Sequence, residues 1–136
     1  MNNADFSEKI ELLFQKSEYI TLSHLNVKMY TCPKLNTFEK GEVFCFTVSE
    51  PYSDALLKRL CDYTKSIVFY SGKNSSEILV LPIFLGESEA AIVAKKVSKV
   101  VAIPFCLSKN GGLLKPKKSL FVSEKLIDNA SRLLKA

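Results

Sequence analysis

A chain of 136 residues with 47% apolar and 24% charged content has the length of one globular domain (residues 1–136) and too many core-forming side chains to stay disordered. The longest apolar run, Ile78–Leu85, is far short of the ~20 residues of a membrane helix, and Met1–Ser7 is polar and acidic where a secretion leader needs a basic and then an apolar stretch, so the sequence predicts a cytoplasmic protein with no membrane partner. The net charge of +5 is unevenly spread: residues 1–89 carry nine basic and twelve acidic groups, residues 90–136 ten basic and two acidic.

The first predicted element is a helix over Asn3–Lys16, where Phe6, Ile10, Leu13 and Phe14 form one apolar stripe and Asn2 or Asn3 caps the start. Two strands follow, Glu18–Leu22 and Leu25–Thr31, with Ser23-His24 between them; Leu25, Val27 and Met29 alternate with polar neighbours. After the polar connection Pro33–Gly41, the segment Glu42–Ser49 is apolar on both parities, which predicts a strand covered on both faces. Ser49 then caps a helix with Pro51 in its first turn, running to about Lys65 with Leu56, Leu57, Leu60, Cys61 and Thr64 inward.

Ser66–Tyr70, Glu77–Leu85 and Val97–Leu107 are three apolar segments that predict the central strands, the first two joined as a hairpin through Ser71–Ser76. Pro82 and Pro104 each remove a ladder donor, which predicts a bulge or an edge position at both. Gly86–Lys96 supports two readings, a helical turn from its three alanines or a hairpin from Ile92-Val93; the balance favours the turn. Lys109–Ser119 is a loop built on Asn110-Gly111-Gly112, and Ser123 caps a last helix with Leu126, Ile127, Ala130, Leu133 and Leu134 on its inner face. The expected fold is α+β (mixed α/β): a single five- to six-stranded, mainly antiparallel sheet with N-terminal, central and C-terminal helices packed on it.

Catalytic chemistry finds little support. His24 is the sole histidine, and Cys32, Cys45, Cys61 and Cys106 lie 13, 16 and 45 residues apart with no C-x-x-C pair, so the chain is expected to hold no metal. The cysteines sit among apolar neighbours and are expected as reduced, packed thiols. Ser71-Gly72-Lys73-Asn74-Ser75 lacks the nucleotide-binding pattern: Ile67 stands where a glycine is required, and Asn74 where a serine or threonine is. Asn110-Gly111-Gly112 could present backbone N–H groups to an anion, although a plain connecting loop is the simpler reading. The chain is expected to be no enzyme and to need no cofactor.

The one chemically suggestive feature is a set of lysines with no acid between them: Lys95, Lys96, Lys99, Lys109, Lys115, Lys117 and Lys118. Lysine is a flexible point charge suited to phosphate, and no arginine precedes Arg132 in this region to read guanine, so a nucleic-acid partner would be held by its backbone without sequence readout. Phe105 and Phe121 are the only aromatic residues nearby that could stack on a base. The same lysines also suit an acidic protein surface, which would make the chain an interaction adaptor or inhibitor, or they serve solubility alone. Nothing in the pattern fixes an oligomeric state.

The stretch Val100-Val101-Ala102-Ile103-Pro104-Phe105-Cys106-Leu107, followed by Asn110-Gly111-Gly112-Leu113-Leu114-Lys115-Pro116, resembles N-terminal accessory regions of some bacterial superfamily 1 helicase-like ATPases. The resemblance covers residues 100–116 alone, and the chain carries no helicase motif. It implies an accessory module whose ATPase lies on another part of a larger protein or on a partner.

Overall fold

The computed structural model describes residues 16–22, 25–31, 42–70, 78–85, 92–97, 99–107 and 113–135. Among these, eight strands join one mixed sheet: β1 (Lys16–Leu22), β2 (Leu25–Thr31), β3 (Glu42–Val48), β4 (Ile78–Phe84), β5 (Lys95–Val97), β6 (Val100–Ala102), β7 (Phe105–Leu107) and β8 (Leu113–Leu114). Two helices are described, α1 (Asp54–Tyr70) and α2 (Glu124–Lys135). The N-terminal helix expected over Asn3–Lys16 falls outside the described residues except at Lys16, where β1 begins.

The sheet runs β1-β2-β3-β4-β6-β5, with β7 continuing the line of β6 along β4 and β8 paired outside β7. Its centre is parallel: β3 pairs with β4, and β4 with both β6 and β7. The flanks β1-β2-β3, β5-β6 and β7-β8 are antiparallel. The mixed α/β class expected from the sequence holds, and antiparallel pairings outnumber parallel ones by four to three; the expected five or six strands are corrected to eight, with a parallel centre.

The physical cause of the parallel centre is the segment Ser66–Tyr70. It is the end of α1, not a strand. Ile67-Val68-Phe69-Tyr70 has the β-branched and aromatic composition of a strand. Yet Val68 extends the helical stripe of Leu60 and Thr64 at four-residue steps, and its burial against the sheet outweighs local propensity. Thr64 and Ser66 turn their hydroxyls back onto helix carbonyls, Leu60 and Cys61 for Thr64 and Asp62 for Ser66. With α1 carrying the chain between β3 and β4, these strands come out parallel, as a β-α-β crossover requires. The hairpin expected through Ser71–Ser76 is thereby excluded, although residues 71–77 themselves lie outside the described set.

The caps show why each helix starts where it does. Ser53, rather than the expected Ser49, caps α1: the Leu56 N–H donates to Ser53 Oγ at 3.0 Å and the Leu57 N–H to the Ser53 carbonyl at 3.0 Å. Pro51 therefore precedes the helix. Ser123 caps α2 as expected, with the Leu126 N–H donating to its Oγ at 3.2 Å.

Strict alternation along the strands builds two cores. Phe44, Phe46, Ile78, Val80, Phe84, Val100 and Ala102 face α1, packing on Leu56, Leu57, Leu60 and Cys61. Val43, Cys45, Leu79, Leu81, Ile83, Val101, Ile103 and Phe105 face the other way, onto Ile127, Ala130 and Leu134 of α2. The sheet is thus sandwiched between helices, which explains why β3 and β4 read as continuous apolar runs.

Pro82 and Pro104 are accommodated together. The β4–β6 ladder stops at Val80↔Ala102 and resumes as β4–β7 at Ile83↔Phe105, so the two prolines stand side by side at one break. The Ile103 N–H still reaches the Val80 carbonyl at 2.9 Å. Pro82 thus occupies a central strand rather than the expected edge or bulge, because its missing donor coincides with its neighbour's interruption. Residues 92–97 are extended, with β5 at Lys95–Val97; the rest of the expected helical turn, residues 86–91, lies outside the described set.

Candidate anion-binding edge

Strands β5 and β8 both lie outside the β6–β7 line, and so form one margin of the sheet. Beyond β8 the chain turns along β5's approach. The Lys117 N–H donates to the Ile92 carbonyl at 2.9 Å, and the Ala94 N–H donates to the Lys117 carbonyl at 2.9 Å, a parallel bridge of Val93 with Lys117. This pair of bonds decides where the lysines stand. Lys95 follows Ala94 directly, so Lys95 and Lys96 and the group Lys115, Lys117 and Lys118 occupy the same margin, while Lys99 stands at the head of β6, its carbonyl accepting the Ile78 N–H at 2.9 Å. Lys109 lies outside the described residues.

The six are not equivalent. Lys95 pairs in register with Ala102, on the α1 side of the sheet, and its Nζ meets Asp54 Oδ1 at 2.8 Å. Asp54 also accepts the Tyr52 hydroxyl at 2.5 Å, and the Tyr52 ring stands edge-on to Phe84 at 5.2 Å. The Lys95 ammonium, and after it the Tyr52 hydroxyl, holds the Asp54 carboxyl below its ordinary 3.8. Burial, reinforced by Asp54, pushes the Tyr52 phenol up. Lys96 pairs with Val101, on the α2 side, and is exposed, as is Lys99. Lys115 is tied to α2 through Asp128 Oδ1 at 2.9 Å. Lys117 and Lys118 are exposed and make no side-chain ion pair among the described residues.

Replacing Lys95 by Met should let the Asp54 pKa rise toward 3.8, read from its carboxyl carbon by NMR titration. A depressed carboxylate stabilises the fold above its unfolded pKa and loses that contribution as the pH falls through the folded value. The Lys95→Met variant should accordingly lose part of its acid-side stability profile, and an unmoved Asp54 titration would refute the ion pair.

An open groove of about 400 Å³ lies between the segment Lys115–Lys118 and the start of α2, lined also by Glu124, Ile127 and Asp128. Three ammonium groups against two carboxylates make it only weakly positive. Of the margin's described lysines, Lys117 and Lys118 are the two without an ion-pair partner among the described residues; Lys58, Arg59 and Lys65 on α1 and Lys125 and Arg132 on α2 are exposed cations elsewhere on the surface.

Of the two aromatic residues near the lysines, Phe105 is fully buried in the α2-side core and offers nothing to a ligand. Phe121 is 69% exposed, and its neighbour Leu120, absent from the candidates that the sequence suggests, is 90% exposed. The signal that could have found it is the run Leu120-Phe121-Val122 squeezed between Ser119 and the Ser123 cap, too short for all three to reach a core.

The three described cysteines do not form a site. Cys45, Cys61 and Cys106 are free and buried, and burial pushes the Cys61 and Cys106 thiols up to about 11 and that of Cys45 higher still. They stay protonated at neutral pH and are poor nucleophiles. Cys32 and His24 lie outside the described residues. Among the described residues no cluster of ligating side chains is suited to a metal ion, and no helix is long and apolar enough to cross a membrane.

The class these features define is a mixed α/β sandwich with a lysine-bearing sheet margin. No family model matches the chain, and neither a curated protein nor a solved structure matches it.

Proposed function

We propose that this chain is a non-enzymatic accessory module that docks an anionic partner along the β5–Lys118 margin, and that the partner is the phosphate backbone of a nucleic acid. The observation that supports this reading is the pair of backbone hydrogen bonds, Lys117 N–H to the Ile92 carbonyl and Ala94 N–H to the Lys117 carbonyl, which brings Lys117 and Lys118 beside Lys95 and Lys96. Lys117 and Lys118 supply the strongest contacts, since neither is held in an ion pair among the described residues; Lys96, exposed on the neighbouring strand, adjoins them. Lys95 and Lys115 contribute less, each already held by an acid.

The test is a fluorescence-anisotropy titration of a labelled oligonucleotide at several salt concentrations. With about three lysines engaged on a single strand, the logarithm of the affinity should fall with the logarithm of salt at a slope of about −2. No binding at low salt ends the proposal. A second reading is an adaptor for an acidic protein surface, because the exposed Lys117 and Lys118 ammonium groups suit carboxylates as well as phosphates. That reading expects binding to an acidic peptide and none to an oligonucleotide of equal charge.

A further inference from the structure

The turn that joins the lysine margin to α2 displays two large apolar side chains. Leu120 and Phe121 stand 90% and 69% exposed. This exposure belongs to a braced turn. The Ser119 N–H donates to the Val122 carbonyl at 3.2 Å, Val122 is fully buried in the α2-side core, and Ser123 caps the helix immediately after. The backbone is anchored at both ends, and the two side chains between the anchors point to solvent.

A single exposed leucine is ordinary. An adjacent Leu-Phe pair on a pinned turn, directly after two lysines without ion pairs among the described residues, is a more specific combination. A flat π-face beside phosphate-binding ammonium groups is what recognition of unpaired nucleotides uses: the cations hold the backbone while the ring stacks on a base. A duplex keeps its base faces stacked on one another and has none to offer such a ring.

We propose that the turn Ser119–Val122 is a base-stacking platform, and that the ligand of the margin is single-stranded nucleic acid. The proposal rests on the nucleic-acid reading of the margin and narrows it. Phe121 supplies the stacking face, Leu120 flanks it, and Lys117 and Lys118 take the adjoining phosphates. Lys117 and Lys118 lie on the extended segment that bridges Val93, a run that matches a linear polyanion better than a planar anionic membrane.

The experiment compares labelled oligothymidylate with a blunt duplex of the same length, at low salt, for the wild-type chain, Phe121→Ala and Phe121→Trp. The wild type should prefer the single strand. Phe121→Ala should weaken single-strand binding by about tenfold and change duplex binding by less than about twofold, and Phe121→Trp should restore it. An unchanged melting temperature for both variants shows that the fold is intact. Equal binding of both ligands with no effect of Phe121→Ala overturns the stacking platform and leaves the lysine margin standing. No binding of either ligand overturns the margin itself. Wild-type binding to phosphatidylserine vesicles that Phe121→Ala abolishes, with oligonucleotide binding unaltered, overturns the proposal in favour of a membrane surface.

Discussion

Phe105→Ala is expected to lower the unfolding free energy by about 3–5 kcal/mol. Phe105 is fully buried in β7, among Ile83, Ile103 and the α2 residues Ile127 and Ala130. It also sits where the β4 ladder resumes after the two prolines, in register with Ile83. Truncation forfeits the transfer free energy of the ring and leaves a cavity under α2 that the rigid parallel centre cannot collapse to fill. Since a domain's whole stability is of the order of 5–15 kcal/mol, the variant should be marginal at room temperature. Urea denaturation followed by circular dichroism reads the effect as a shift in midpoint. Phe121→Ala provides the contrast, because an exposed ring should move the same curve by less than about 0.5 kcal/mol. A Phe121 effect equal to that of Phe105 would contradict the burial of one and the exposure of the other.

On the binding side, the double variant Lys117→Glu/Lys118→Glu should weaken oligonucleotide binding by about a hundredfold at roughly 50 mM salt, because removing two phosphate contacts removes their share of counterion release. The salt slope should become shallower by about 1.5 for a single strand. Both side chains are exposed and make no ion pair among the described residues, so the fold should tolerate the change. Lys95→Met should do much less, because Asp54 already occupies that ammonium. Equal losses from the two variants would mean a diffuse field in place of a localised margin.

Much of the architecture was legible in the chain. β2, β3, β4 and α2 follow from alternation, continuous apolar runs and a serine cap, signals that arise from the residues' own burial. Ser66–Tyr70 was not legible, because β-branched composition and helical phase conflict there and only the sheet beneath α1 decides between them. The lysines were legible as a set but not as a place. The bond between Lys117 and Ile92 joins segments far apart in the sequence, and no periodicity encodes it. Phe105 and Phe121 looked alike as stacking residues; their opposite fates follow from β7 entering the sheet and the turn before α2 leaving it.

A sheet that stops leaves unpaired backbone donors and acceptors along its last strand, an invitation to a strand from another molecule. Here that last strand is short, and Lys95 and Lys96 lie on it, with Lys117 and Lys118 beside it. A second copy approaching to extend the sheet would bring like charges together at strand-pairing distance. The same ammonium groups that would greet a polyanion therefore guard this edge of the sheet, opposite β1, against self-templated aggregation.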